Sequence, residues 1–122
     1  MVANIADKVI WIMDSSKVVD SIGAFPLPVE ILQYGYSHII RELKSLSLNP
    51  VLRIKDGVPF VTDNHNYIVD LHIGKAFDIE LVTEKFNDLT GLLETGLFIN
   101  TCNKIIIGTS NGVKIVENGN KI

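Results

Sequence analysis

Residues 25–54 read FPLPVEILQYGYSHIIRELKSLSLNPVLRI, and this stretch predicts the first three elements of the central unit. Its prolines lack backbone donors, so residues 25–31 are predicted to form an edge strand or an extended crossover into a new structural unit. From Tyr36 the apolar residues recur at helical spacing, which predicts an amphipathic helix that ends at Asn49-Pro50. Residues 51–54 then favour a strand, so the order begins as strand, helix, strand.

The residues that follow complete this unit. Asp56-Gly57 is a turn signal, and residues 67–73 alternate as a strand with one buried face does. Asp78 can cap the start of a second helix, and Gly91 is predicted to end that helix in the left-handed backbone conformation. A last strand is predicted over residues 92–98. The order is then βαββαβ, the arrangement of ferredoxin-like sandwiches, in which two helices cover one face of an antiparallel sheet.

The segments on either side have a different pattern. Residues 9–13, VIWIM, are continuously apolar, which is typical of a parallel strand covered on both faces. The polar residues 14–17 follow at its carboxyl end, where open α/β sheets bind ligands. Residues 104–107 favour another strand, and Asn111-Gly112 predicts a hairpin beyond it.

These elements predict an α+β fold with two units. The outer unit comprises residues 1–24 and 99–122, and a ferredoxin-like unit of residues 25–98 is inserted between its two parts.

Composition and charge exclude several classes of function. The chain has 122 residues, 47% hydrophobic and 20% charged, as soluble globular proteins do. Its net charge is −3 and its basic residues are scattered, so we expect no nucleic-acid partner. Its apolar runs are far shorter than the roughly 20 residues that span a bilayer, so we expect no membrane association. Cys102 is the only cysteine, which excludes an internal disulfide and favours the cytoplasm.

Short motifs stand out when the chain is read in order. They are IADKVIWI at residues 5–12, DSSK at 14–17, FPLPVE at 25–30, TDNHNYIVD at 62–70 and GLLETGLF at 91–98. In this order and spacing they resemble the signatures of the ribose-5-phosphate isomerase A family. The chain departs from the family at His65, where glycine is common in TDNGN. Histidine is tolerated in the left-handed turn expected there better than most residues are.

The resemblance implies an enzyme of the pentose phosphate pathway. It would interconvert ribose 5-phosphate and ribulose 5-phosphate by moving a proton between adjacent carbons through an enediol, with no metal or organic cofactor. The ferredoxin-like unit would be a lid inserted between remnants of a Rossmann-like α/β catalytic domain. A homodimer or homotetramer is expected.

The family's catalytic base does not carry over to this chain. That glutamate belongs to an R-E-K motif immediately upstream of the matched segment, and the DGADE and KGGG loops lie further upstream. None of these motifs occurs in the sequence. We therefore assign no catalytic residue here and expect the chain to be inactive by itself, since the proton transfer needs a general base.

Lys17, the lysine of DSSK, is the one substrate-binding residue that the resemblance carries over. Its ammonium can offer charge to a phosphate or an oxyanion. On general grounds a lone lysine after a strand is more often a solvated surface residue, and only the family resemblance reverses that interpretation. We expect no metal site, because the histidines and the cysteine are too widely spaced for a zinc pattern.

An alternative hypothesis is a non-catalytic ferredoxin-like module that mediates oligomerisation or binds a small molecule. Many regulatory domains share the βαββαβ order, so this hypothesis depends on fold analogy alone. Apolar surface on the strand at residues 9–13 would also drive association if it is uncovered.

Overall fold

The computed structural model describes residues 2–74 and 78–119, which divide into two compact units. The smaller unit contains the residues up to Asp20 and those from Phe98 onwards, and the larger unit is Ser21–Leu97. In the described residues the helices are α1 (Val2–Ile5), α2 (Tyr36–Ser45) and α3 (Ile79–Asn87). The strands are β1 (Ile10–Asp14), β2 (Leu27–Ile31), β3 (Pro50–Leu52), β4 (Ile54–Lys55), β5 (Val58–Pro59), β6 (Tyr67–Leu71), β7 (Leu92–Thr95), β8 (Lys104–Thr109) and β9 (Gly112–Glu117).

The larger unit is a mixed α+β structure with one covered sheet face. The main sheet of this unit has four described strands, all paired antiparallel, in the order β3-β6-β2-β7. Alternate residues of β2 and β6 are buried against apolar residues of α2 and α3, because the pleat turns every second side chain to the same face. This core contains Leu27, Val29, Ile31, Ile39, Leu43, Leu48, Val69, Leu71, Val82 and Phe86.

The main elements follow the predicted order. Helix α2 begins at Tyr36, and the Asp78 side chain caps α3 by accepting hydrogen bonds from the amides of Glu80 and Leu81 at 3.0 and 3.1 Å. Gly91 has a φ of +92°, in the left-handed region that was predicted for it, but it does not end the helix: α3 ends at Asn87, and Asp88 is its C-cap with right-handed backbone angles. A short β4–β5 hairpin at Asp56-Gly57 adds to the predicted order.

Strand β2 is an inner strand, so the prediction of an edge strand or crossover for residues 25–31 is wrong. It pairs with β6 on one side and with β7 on the other. The carbonyl oxygen of Pro28 accepts a hydrogen bond from the amide of Gly96 at 2.8 Å, just beyond the end of β7. Pairing with β7 begins only at Val29, so no hydrogen bond between these strands is lost because Pro28 has no N–H group.

Three predicted strands are shorter than expected. The strand predicted over residues 51–54 is divided, because β3 ends at Leu52 and β4 begins at Ile54. Strand β6 ends at Leu71, and β7 ends at Thr95 rather than at residue 98. Glycine and polar residues at these ends weaken strand propensity, as Gly96 does after β7.

The smaller unit contains a three-stranded sheet in the order β1-β8-β9. Strands β1 and β8 are parallel, while β8 and β9 form the hairpin predicted at Asn111-Gly112. Ile12 lies opposite Ile106 in register and is 78% exposed. The prediction that both faces of β1 are covered is therefore wrong in the described chain, where α1, a single turn, is the only α-helix of this unit. The expected apolar surface on β1 is present.

No helix in the described residues is long and apolar enough to cross a membrane.

Candidate functional site

The DSSK motif forms a single helical turn at the carboxyl end of β1. Asp14 ends the strand, and Ser15–Lys17 form a 3-10 turn. The Asp14 carboxylate accepts a hydrogen bond from the Ser16 amide at 2.8 Å, and the Val18 amide donates to the Ser15 carbonyl at 3.2 Å. Because Asp14 lies opposite Gly108 in the parallel β1–β8 pair, the turn lies where parallel sheets place their ligand-binding loops.

Lys17 is the last residue of this turn, and its side chain is exposed. Among residues 2–74 and 78–119, the ion pairs are Arg53–Asp70 and Lys104–Glu117, so the Lys17 ammonium makes no direct ion pair with a described carboxylate, and Asp14 interacts with it only through its charge. An exposed ammonium at the end of a fixed turn can bind an anionic ligand from solvent. The structure therefore gives the candidate lysine a defined backbone position and an accessible charge.

Hydrogen bonding within the turn lowers the pKa of the Asp14 carboxyl below its ordinary value of 3.8. The Ser16 side chain is the largest cause and the Ser16 amide the next, while the charge of Lys17 contributes less. The ionised carboxylate is thus the form that holds the turn. Its stabilising effect is complete above the pKa of the unfolded chain and is lost as the pH falls through the lower pKa of the folded chain.

We expect Ser16→Ala to raise the pKa of Asp14 toward 3.8, since it removes the hydroxyl that contributes most to the lowering while it keeps the bond from the Ser16 amide. The measurement is an NMR titration of the Asp14 carboxyl carbon between neutral and acid pH. Ser15→Ala is the matched control and should leave the titration unchanged. An unaltered Asp14 pKa in Ser16→Ala would show that the Ser16 hydroxyl does not hold the carboxylate.

A second polar cluster was not predicted from the sequence. The Glu30 carboxylate accepts hydrogen bonds from the Thr62 hydroxyl at 2.7 Å and from the Asn66 carboxamide at 3.0 Å. The Thr62 hydroxyl also accepts from the Asn66 amide at 3.1 Å, and the carbonyl of His65 accepts from the Gln33 side chain at 2.8 Å. The cluster closes the 62–66 turn, in which His65 has the left-handed φ of +61° that was expected.

The motifs of the larger unit meet in its sheet. Besides Glu30 with Thr62 and Asn66, Gly96 of the last motif bonds to Pro28 of FPLPVE. Asp70, which ends TDNHNYIVD, forms a two-pronged ion pair with Arg53, whose guanidinium lies 5.9 Å from the ring centre of Phe60. These contacts join strands and turns to each other, so the motifs of this unit have a structural role in the described chain.

The sequence did indicate that Glu30 and Asp70 have hydrogen-bonding partners. Glu30 and Asp70 occupy polar positions of strands β2 and β6, between residues that face the core. An acidic residue on a half-buried strand needs a hydrogen-bonding partner. The identity of that partner depended on the strand register, which the sequence did not specify.

The described residues contain no group of three or more histidine, cysteine or acidic side chains that could hold a metal ion. The candidate site is the turn at residues 14–17, and Lys17 is its candidate substrate-binding side chain.

The fold and the turn together define a class: α+β proteins with a polar turn and an exposed lysine at the carboxyl end of a parallel strand. Comparison with known proteins narrows this class. The profile of the family described as ribose 5-phosphate isomerase A (phosphoriboisomerase A) matches residues 1–112. The chain therefore belongs to the ribose-5-phosphate isomerase A family.

Individual relatives agree with this assignment. The chain is 41% identical over 117 residues to ribose-5-phosphate isomerase A of Limosilactobacillus reuteri, covering 96% of this chain and 52% of that protein. The solved enzyme of Methanocaldococcus jannaschii superimposes with a TM-score of 0.85 at 32% identity, covering 96% of this chain and 52% of that one. A D-ribose-5-phosphate isomerase solved in complex with phospho-erythronic acid gives a TM-score of 0.81 at 30% identity, covering 91% and 50%. The chain thus spans about half the length of the relatives it matches.

Proposed function

We propose that this chain supplies the carboxyl-terminal half of a ribose-5-phosphate isomerase A, in which Lys17 binds the sugar phosphate. The observation that carries the proposal is the position of Lys17. It is exposed at the end of a fixed turn after a parallel strand, within the region that matches the family. The reaction is the interconversion of ribose 5-phosphate and ribulose 5-phosphate.

The chemistry explains why a lysine is useful there. The substrate carries a phosphate dianion, and negative charge develops on the carbonyl oxygen as a base removes a proton from the adjacent carbon. A preorganised cation lowers the free energy of such a transition state more than that of the ground state, in which the carbonyl oxygen is still uncharged. Asp14 holds the backbone of the turn, and Lys17 supplies the positive charge to the phosphate or to the developing oxyanion.

The general base would come from outside these 122 residues. The R-E-K glutamate of the family has no counterpart in the sequence, so we propose that the chain alone does not isomerise sugar phosphates. The acid in the related complex is, by its name, a phosphorylated sugar acid. That ligand supports an anionic, phosphate-bearing substrate for the site that includes Lys17.

We also propose a role for the larger unit as a ferredoxin-like lid. Its boundaries would be residues 25–98, inserted in an outer unit of residues 1–24 and 99–122. The strand order β3-β6-β2-β7 and the two helices on one face support this assignment. The uncovered apolar residues of β1, with Ile12 as the most exposed, support association into a homodimer or homotetramer. The proposed compartment is the cytoplasm.

The test compares the chain with a chimera in which the amino-terminal half of the L. reuteri relative precedes it. We expect the chimera to convert ribose 5-phosphate to ribulose 5-phosphate and the chain alone to show no conversion above background. The intact L. reuteri enzyme is the positive control, and circular dichroism with gel filtration establishes that the chimera is folded.

Two outcomes would contradict the proposal. Robust conversion by the chain alone would mean that a base lies within it. A folded but inactive chimera would favour the alternative of a non-catalytic ferredoxin-like module.

A further inference from the structure

Two Asn-Gly dipeptides lie in the smaller unit, and their surroundings differ. Asn111-Gly112 is in the turn between β8 and β9, whereas Asn118-Gly119 follows β9. Asparagine is among the thermolabile residues of proteins. Glycine after it removes the Cβ that would hinder attack by the next backbone nitrogen on the side chain. Both dipeptides thus have the sequence that favours deamidation, and the structure decides between them.

The Asn118 side chain is held in place. Its carboxamide nitrogen donates to the carbonyl of Cys102 at 3.1 Å, and its backbone amide donates to the carbonyl of Asn103 at 2.8 Å. Asn118 is also half-buried. Attack on its carboxamide carbon requires the side chain to turn toward the next amide, which breaks at least the first of these bonds.

The Asn111 side chain has no such restraint. The residue is exposed, and within residues 2–74 and 78–119 its carboxamide makes no hydrogen bond. Its backbone amide donates to the Thr109 hydroxyl at 3.3 Å, beyond the usual range for such bonds, and the same hydroxyl donates to the Gly112 carbonyl at 2.9 Å. These contacts hold the backbone of the turn and leave the side chain free to rotate.

We propose that Asn111 is a site of spontaneous deamidation and that Asn118 is protected from it. The deprotonated amide nitrogen of Gly112 attacks Cγ of Asn111 and forms a new C–N bond. The bond from Cγ to the carboxamide nitrogen breaks, and ammonia leaves with the proton that the Gly112 amide has lost. Water then opens the cyclic imide at one of its two carbonyl carbons, which gives aspartate or isoaspartate.

The new charge would lie at one end of the three-stranded sheet. Strand β8 ends at Thr109, and Gly108 lies opposite Asp14, so Asn111 follows the end of the sheet that also carries the Lys17 turn. Deamidation adds a carboxylate at that end. An effect of this charge on the binding of an anionic substrate presupposes the proposed function. The deamidation itself does not depend on that function.

The experiment incubates the folded chain at mildly alkaline pH and follows both dipeptides by peptide mapping with mass spectrometry. The product is recognised by replacement of NH2 with OH and by its isoaspartate content. We expect Asn111 to be modified roughly fivefold faster than Asn118, because Asn118 must first break its side-chain hydrogen bond to Cys102, whereas the Gly112 amide lies in the terminal pair of the hairpin, where strands fray. The rate should increase with pH, because the attacking amide must lose its proton.

Variants and the unfolded state make the comparison specific. Asn111→Gln should abolish the fast modification, since the longer side chain disfavours ring closure. Thr109→Val should accelerate it severalfold, because it removes both bonds of the Thr109 hydroxyl from the turn while it keeps a β-branched side chain. In urea the two dipeptides should be modified at similar rates.

Equal rates in the folded chain, faster modification of Asn118, or no modification of Asn111 under conditions that modify the unfolded chain would each overturn the proposal. These results do not depend on isomerase activity, so they leave the proposed function untouched.

Discussion

Replacing Lys17 with alanine in the chimera is expected to lower kcat/KM for ribose 5-phosphate by about 100-fold, the typical effect of removing one electrostatic contact to a transition state. The side chain is exposed, and no described hydrogen bond or ion pair depends on it, so the folded structure should be retained. The measurement is steady-state kinetics together with the urea midpoint of each variant. A lower kcat would indicate a contact to the developing oxyanion, whereas a higher KM alone would indicate a contact to the phosphate.

Lys114→Ala is the matched control for this prediction. Lys114 is also an exposed lysine of the smaller unit, and it lies in β9 opposite Ile107. Its replacement should leave kcat/KM within about twofold of the parent, because exposed charges away from a site are screened by salt. Lys17→Arg should retain part of the activity, since arginine keeps the charge but presents it as a planar fork. If Lys17→Ala and Lys114→Ala behave alike, Lys17 has no role in substrate binding.

The largest expected effect on stability is that of Gly91→Ala, which should lower the free energy of unfolding by about 2–4 kcal/mol. Gly91 has a φ of +92°, where a Cβ is strained, and an added Cβ would lie 2.7 Å from Cδ1 of the buried Ile39. Gly35→Ala is the matched control, because its φ of +75° is also in the left-handed region but no atom outside the adjacent residues lies within 4 Å of the added carbon. We expect that control to cost about 1 kcal/mol. Urea unfolding measures both.

A double variant separates the clash from the backbone strain. Ile39→Val removes Cδ1, the atom that the new Cβ would meet, and should cost about 1 kcal/mol by itself. Combined with Gly91→Ala, it should cost less than the sum of the two single changes, since the residues are in contact. Equal losses in Gly91→Ala and Gly35→Ala would mean that the core beside Ile39 accommodates the extra carbon without a steric penalty.

Local signals predicted much of this fold because they depend on few residues. The cap at Asp78, the left-handed residues His65 and Gly91, and the start of α2 at Tyr36 are each determined by conformational preferences within a turn of chain. The family was predictable as well, from motifs whose order and spacing survive in the sequence.

Features that depend on pairing between distant residues could not be predicted in the same way. Pro28 indicated an edge strand, yet β2 is an inner strand. The Pro28 nitrogen, which has no hydrogen to donate, is on the side of β7 and beyond its last paired residue, so no bond of the sheet is lost. The contact of Glu30 with Thr62 and Asn66 requires the register of β2 with β6. For the candidate site, the sequence located Lys17 after a strand, but the bond from Ser16 to Asp14 that fixes its turn became evident only in the structure.

The parallel pairing of β1 with β8 has a consequence for the order in which the chain folds. The contact between the Val9 amide and the Asn103 side chain at the start of this pair joins residues 94 apart in sequence. Closing so long a loop carries an entropic cost that grows with its length, and contacts of this kind slow folding. The β8–β9 hairpin, in contrast, is local and can form as soon as both strands exist. During synthesis β1 emerges before β8, and the whole of Ser21–Leu97 is made between them. The strand that precedes Lys17 is therefore expected to pair with β8 only after the larger unit has been synthesised.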